Sequence, residues 1–394
     1  MRSQSDIGIG VVTALPVECA AMRSMIDDLA EVRPEPGDPS SYVTGTMPSN
    51  TPEEPHGVAL TVMPRDNNKN AAAVCVDLLR SFPGVQCVLM VGIAGGIPAP
   101  DAAERHVRLG DVVVATGGVI DYDHVRSVNG EHMIRRHLQG MSTNLTNAAQ
   151  QLRVAEHLGR RPWEDALRLV PAGFERPPDI SDVLLVNGRP KEHPATARSG
   201  HRPGFPKIHY AAIASADRLL RDERYRDELA RRHHEVAAVE MEGSGIATAT
   251  DLHEAHWFVI RGVADYCDDS KNKAWHAYAS MTAAVFARIL LAHAAPFRRL
   301  QPKPAGGDRG SVVALLLQVP AVADGQTRQA IVERLRPDIR DTIRRFPAAR
   351  PDVHEILSTC LDHEGGADEL AAAIISVAGD SLSVRRAVDA LQGL

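Results

Sequence analysis

Acidic residues stand at three places just beyond short apolar runs that read as strands. Glu18 follows the first run, in ALPVECAAM; Glu240 and Glu242 follow Val236–Val239, in AVEMEGSG; Asp265 follows Trp257–Val263, in VIRGVADYCD. In open α/β sheets ligands bind outside the carboxyl ends of strands, so these positions can present side chains to a substrate. Carboxyls in different surroundings can divide acid–base work, one kept neutral to donate a proton and another ionised to take one. Each residue also has a plainer explanation. Glu18 and Glu242 suit the first turn of a helix, where they complement its dipole, and Asp265 suits a turn or an N-cap. The set gains weight from a glycine-rich segment, Val91–Ile97 (VGIAGGI), which follows another apolar run and lets backbone amides approach a ligand. Neither GxGxxG nor GxxxxGK[ST] occurs, which argues against a dinucleotide or P-loop site.

The elements that must position these residues show as alternating periodicities. Ile7–Val12, Val58–Val62, Cys87–Val91, Val112–Thr116, Ala211–Ala214, Val236–Val239 and Trp257–Val263 read as strands. Val17–Val32, Asn70–Phe82, Ala216–Arg232, Gly243–Leu252 and Trp275–His293 carry helical apolar spacing. The alternation predicts a three-layer α/β fold with a largely parallel sheet. Gly159–Pro206, rich in Pro, Arg and Gly, breaks the rhythm. A loop of this length reads either as an insertion folding over the site or as a surface excursion. Arg298–Gly310 (RRLQPKPAGGDRG) has the composition of a linker. Beyond it, Ser311–Val319, Gly325–Leu335, Asp338–Phe346, Asp352–Asp362, Ala367–Val377 and Leu382–Leu391 predict an all-helical domain. The layout is therefore 1–298, a linker over 299–310, and 311–394.

Composition narrows the class. The net charge of −6 argues against a general nucleic-acid or membrane-surface binder. The five cysteines are odd in number, widely spaced and free of CxxC or Cys/His zinc patterns, which fits reduced thiols in a cytosol. No run approaches 18 consecutive apolar residues, so a cytoplasmic chain without a membrane span is expected. Cys360 and His363 share a helix face in the tail but have no third partner for nucleophilic catalysis.

Taken in order, IGIGVVTALPVE, MVGIAGGI, LGDVVVA, AVEMEG and VIRGVADYCD resemble the nucleoside phosphorylase and nucleosidase superfamily, over about residues 6–295. The extended stretch RGVADYCDDSKNKAWHAYASMTAAVFARILL is similar to its immune-effector-associated, methylthioadenosine/S-adenosylhomocysteine nucleosidase-like branch. The resemblance implies an α/β/α domain with a central mixed sheet, usually a homo-oligomer, using no cofactor and no metal. It implies that Glu18 activates the attacking water and that Asp265 protonates the leaving purine. Glu242 would hold the ribose hydroxyls, Met241 would pack under the sugar, and Leu219 and Leu220 (SADRLL) would contact the base. Ile93, Ala94 and Gly95 would line the substrate. The chemistry is coherent: a purine leaves an oxocarbenium-like sugar only once protonated, which needs a carboxyl with a raised pKa.

The acceptor and the substrate's size follow from departures within the pattern. Where phosphorylases commonly have Arg and Ser for phosphate, this chain has Met90 and Ile93, which cannot pair with an anion through their side chains, so water is the expected acceptor. A phosphate-dependent phosphorylase and a non-catalytic nucleotide-sensing adaptor are the alternatives. The subgroup also implies nucleotide substrates such as ATP or AMP. Arg65 and Lys69 (MPRDNNKNAAA) and Lys271 and Lys273 (DSKNK) are candidate phosphate contacts, and His209 is a further pocket candidate. Ala264 stands where many nucleosidases have a serine that orients the acid. The tail, about 311–394, resembles a bacterial effector-associated domain of type two. That resemblance implies an adaptor pairing with a like domain on a partner, in a defence system.

Overall fold

Alternate residues of the central strands enter two separate cores, and this layers the first part of the chain. In the computed structural model, which describes residues 6–128, 131–134, 138–186, 188–268, 273–297, 309–379 and 381–392, the chain divides into two compact units, Met1–Arg299 and Leu300–Leu394. Val12, Val88, Met90 and Val259 pack with the helices Asn68–Ser81 and Gly243–Leu252 through Val74, Leu78 and Ile246. Val11, Leu89, Phe258 and Ile260 pack on the opposite face, against Met22 of Pro16–Arg23, Leu152 of Thr143–His157 and Met281 of His276–Ala292. Period-two alternation across a pleated strand produces this sorting.

From one edge, the sheet runs Ile208–Tyr210, Val112–Val114, His256–Asp265, Cys87–Gly96, Ile9–Thr13, His56–Val62, Tyr42–Met47 and Asp27–Val32. Cys87–Gly96 lies parallel to both Ile9–Thr13 and His256–Asp265. Val112–Val114 runs antiparallel to His256–Asp265 but parallel to Ile208–Tyr210, and Tyr42–Met47 runs antiparallel to both its neighbours, His56–Val62 and Asp27–Val32. Val236–Glu240 pairs antiparallel with the end of Cys87–Gly96 and carries Ala212–Ser215 beside it. The sheet is mixed rather than largely parallel, because edge hairpins and this branch add reversed strands to a parallel centre.

Four local expectations are corrected. The glycine-rich segment is the second half of the strand Cys87–Gly96, not a turn after it, since pairing with His256–Asp265 continues through Gly95. The helix expected over Val17–Val32 ends at Arg23; Asp27–Val32 is an edge strand, with Asp28 at φ 54° marking an irregular start. Its exposed acidic residues suit an edge and hide the strand from pattern reading. The helix expected from Ala216 begins at Glu223, because the Asp222 carboxylate caps it by accepting from Arg224 and Tyr225 N–H; residues 216–222 are therefore loop. Gly159–Pro206 is structured in pieces: the helix Pro162–Leu167, a hairpin of Leu184–Val186 with Arg189–Lys191, and the short helix Thr196–Ser199. It docks through Asp182, which accepts from Tyr266 Oη (2.6 Å) and Arg108 Nε (2.9 Å).

The tail is helical. Its core joins Val312, Leu316, Ile331, Leu357, Ile374 and Leu391, among others. The helix expected over Asp338–Phe346 stops at Arg340. The buried Asp352 carboxylate takes the Phe346 N–H (2.8 Å) and both ends of the Arg345 guanidinium, and Pro347 follows. Among the described residues no helix is long and apolar enough to cross a membrane.

Strand His256–Asp265 and helix His276–Ala292 touch backbone to backbone at Gly262. A Cβ there would fall 2.6 Å from the Ala279 carbonyl carbon and closer still to its oxygen. Gly262→Ala is therefore expected to lower unfolding free energy by about 1–3 kcal/mol, measured by denaturant titration.

Candidate active site

The second half of Cys87–Gly96 is the surface on which the acids assemble. Glu18 lies in the first turn of Pro16–Arg23, as the plain reading expected, and its Oε2 accepts from the N–H groups of Ala14 and Leu15 (2.7 Å each). Its Oε1 reaches across to accept from Ile93 N–H (2.7 Å). The next strand supplies Arg261, paired in register with Gly92. The Arg261 side chain is fully buried, and its Nη2 donates to Glu240 and to Glu242, the latter at 2.9 Å. Glu240 also accepts from Glu242 N–H (3.0 Å) and Gly243 N–H (2.9 Å), closing the turn that starts the helix Gly243–Leu252. The helix-start role thus belongs to Glu240, which leaves Glu242 to Arg261.

Two glycines permit this crowding. A Cβ on Gly92 would sit 2.6 Å from Arg261 Nη1 and 2.6 Å from the Glu18 carboxyl carbon; one on Gly95 would sit 2.9 Å from Asp265 Oδ1 and against Cys267 Sγ. Asp265 is in register with Gly95. Gly95 lies two residues beyond Ile93, the residue that contacts Glu18, or about 7 Å along a strand. Asp265 Oδ1 accepts from Cys267 N–H (2.8 Å), where Cys267 adopts φ 54°. That bond orients the acid although Ala264 offers no hydroxyl.

The electrostatics follow from one guanidinium facing three carboxylates. Burial pushes the Glu18 pKa above its ordinary value, opposed by Arg261 and three backbone N–H donors. Burial also pushes Glu242 up, to about 8; Arg261 opposes the rise, and the neighbouring Glu240 and Glu18 charges reinforce it. Asp265 is raised by burial as well, against the Cys267 N–H and the more distant charges of His276 and Arg221. A single Arg261 cannot neutralise every acid, so protons stay in the cluster at neutral pH.

Some of the remaining expected residues lie near this centre and others do not. Ile93 and Gly95 are half-buried and Ala94 is buried; Met241, preceding Glu242, is half-buried. Leu220 is buried, whereas Leu219 is 62% exposed. Arg65 is exposed on the loop before the helix Asn68–Ser81, and Lys69 is exposed in that helix's first turn, where Asn68 N–H donates to Asp217 (2.7 Å) and Asn68 Oδ1 accepts from Gly245 N–H (2.8 Å). The start of this helix therefore sits beside the 216–222 loop and the start of the helix that follows Glu242. Lys273 is exposed and acts on His276, which in turn acts on Asp265. Lys271 lies outside the described residues. His209 does not join the carboxylates; its Nε2 is 2.8 Å from Asp111, with which the buried His201 also bonds. In the tail, Cys360 is fully buried, its thiol pushed up to about 12 by burial, and His363 Nδ1 bonds the Thr359 carbonyl, so the two form no nucleophile pair.

The reading from sequence missed Arg261, and with it Arg221 and His276. Arg261 had a signal: a lone cation inside WFVIRGVAD, where a buried strand has no water to offer it.

The fold defines an α/β class with a mixed central sheet, and comparison with known proteins gives the family. Residues 8–293 match the phosphorylase superfamily, and residues 313–392 match effector-associated domain 2. The chain belongs to the phosphorylase superfamily. A nucleotide-binding leucine-rich repeat (NLR)-like protein of Hyaloscypha variabilis is 30% identical over 314 residues, which are 74% of this chain and 30% of that protein. The ATP nucleosidase Cap17 of Escherichia coli is 25% identical over 292 residues, 72% of this chain and 50% of that protein. The chain thus spans half or less of the length of these relatives. The S-adenosylhomocysteine nucleosidase of Streptococcus pyogenes, in complex with 5-methylthiotubericidin, shares the fold with a TM-score of 0.50 at 18% identity, over 73% of this chain and 97% of that one.

Replacing Arg261 by Gln strands three buried carboxylates. Unfolding free energy at neutral pH is expected to fall by about 3–5 kcal/mol, measured by urea titration. Arg261 holds the acids' folded pKa values down, and that contribution is lost as pH falls and they protonate. The deficit of Arg261→Gln should therefore shrink at acid pH.

Proposed function

We propose that the first unit hydrolyses the N-glycosidic bond of purine nucleosides or nucleotides, adenine nucleotides such as ATP or AMP among them, and releases the free base. One observation carries this reading: Glu18, Glu242 and Asp265 converge on the last residues of one strand, Glu18 and Glu242 about Arg261 and Asp265 at Gly95. Asp265, its pKa raised by burial, donates a proton to the departing purine. Glu18, once ionised, takes a proton from water on the sugar's other side. Glu242 holds the ribose hydroxyls above Met241, and the 216–222 loop with Leu219 and Leu220 flanks the base. Arg65, Lys69, Lys271 and Lys273 supply cations for the phosphates; an ATP nucleosidase among the relatives supports this choice of substrate.

Water is the acceptor in this reading. Met90 is buried and apolar, Ile93 already gives its N–H to Glu18, and Arg261 is committed to Glu240 and Glu242. The tail recruits a partner through a like helical domain, and the enzyme works as a cytoplasmic homo-oligomer in a defence system. The effector-associated match and the NLR-like relative support that part of the reading.

The test is chromatography of free base from ATP, AMP and adenosine, with and without phosphate. Base is expected without phosphate; release that requires phosphate would mean phosphorolysis, and none under any condition would favour a sensor. Asp265→Asn and Glu18→Gln are each expected to lower kcat by about 10²–10⁴-fold in folded protein. The pH profile of kcat/KM separates their roles. Activity should fall as pH drops through the raised Glu18 pKa, above 4.5, because the base protonates. It should fall again on the alkaline side as Asp265 loses its proton, and Asp265→Asn should abolish that limb.

A further inference from the structure

Away from the carboxylate cluster, four histidines and two aspartates gather where the Gly159–Pro206 excursion meets the strands Val112–Val114 and Ile208–Tyr210. Two of the histidines are fully committed. His106 Nδ1 accepts from Ala99 N–H (3.2 Å), so its Nε2 carries the proton and donates to His193 Nδ1 (2.9 Å). His193 Nε2–H then donates to the Asp182 carbonyl (3.0 Å). This relay fixes both tautomers and leaves neither ring a free nitrogen.

The other two differ. His201 Nε2 and His209 Nε2 each lie 2.8 Å from the same oxygen, Asp111 Oδ2, and the three atoms fall within 4.8 Å of one another. Their side chains are 4%, 6% and 2% exposed. Arg108 N–H donates to that oxygen too (2.8 Å), so three groups converge on an atom with two lone pairs. A cation between the rings and the carboxylate resolves the crowding, because both Nε2 atoms then act as electron-pair donors. We propose that Asp111, His201 and His209 bind a divalent cation of the zinc class, pinning the excursion to the sheet.

The surroundings have the parts such a site requires. Ser199 Oγ bonds His201 Nδ1 (2.9 Å) and orients the ring; Lys207 N–H holds Asp111 Oδ1 (2.9 Å). A cavity bordered by Asp111, His201, Thr196, Phe205 and Tyr278 offers an entry path and room for a water as fourth ligand. Two imidazoles and one carboxylate suit Zn²⁺ or Co²⁺; Ca²⁺ and Mg²⁺ prefer oxygen-only shells. The excursion carries Asp182, which bonds Tyr266 beside Asp265, so the cation would stiffen the support behind the site.

The test titrates the metal-stripped full-length chain with Zn²⁺ and Co²⁺, following heat, the visible Co²⁺ spectrum and thermal unfolding. One equivalent is expected to bind, with intense Co²⁺ bands of low coordination number and a higher Tm. Ser199→Ala should weaken binding about 10–100-fold, as loss of an outer partner does, and His201→Gln and His209→Gln by more than that. His193→Gln should bind as the wild type does. No stoichiometric uptake by the wild type would overturn the proposal. So would wild-type affinity in His201→Gln and His209→Gln proteins with native circular dichroism, or an equal loss in His193→Gln.

Discussion

A guanidinium buried in the middle of a strand is the constraint on which the site's geometry depends. Arg261 has no access to water, and its desolvation is tolerable only with close anionic partners. Those partners come from separate segments: Glu240 and Glu242 from the end of one strand and the turn after it, and the nearby Glu18 from the first helix. Glu18 in turn is fastened to the Ile93 amide. Holding Arg261 therefore draws four segments of the chain to one point. Gly92 is part of the same constraint, since any side chain there would occupy the space of Arg261 and Glu18.

The arrangement also sets the charge of the site. With more carboxyls than cations, burial keeps protons on some acids and leaves others ionised, which is the division that acid–base cleavage of a glycosidic bond uses. A sugar that develops positive charge beside fixed carboxylates is stabilised without reorganisation of the surroundings. The Cys267 N–H bond to Asp265 favours the ionised carboxylate and so limits how far burial can raise that acid.

Much of this was legible in the chain. The strands around Val11, Leu89 and Ile260 and the helix Gly243–Leu252 announce themselves by apolar period, and Glu18, Glu242 and Asp265 by their place after strands. What stayed hidden depended on tertiary partners. VGIAGGI reads as a turn because glycine disfavours strands, yet here its missing side chains make room for Arg261 and Asp265. Asp27–Val32 is too polar to look like a strand, and only pairing with Tyr42–Met47 makes it one. Glu240 looked like one acid among several until its bonds to the next helix separated it from Glu242. His209 looked like a pocket residue, and its actual partner, Asp111, is 98 residues away.

The central claim is that water, activated at Glu18, replaces a purine protonated by Asp265. The most direct measurement is mass spectrometry of the sugar product after reaction of ATP in ¹⁸O-enriched water. One labelled oxygen on the anomeric carbon, appearing in step with free adenine, is the predicted result. A sugar carrying phosphate at that carbon, or adenine release without label at the anomeric position, would contradict it.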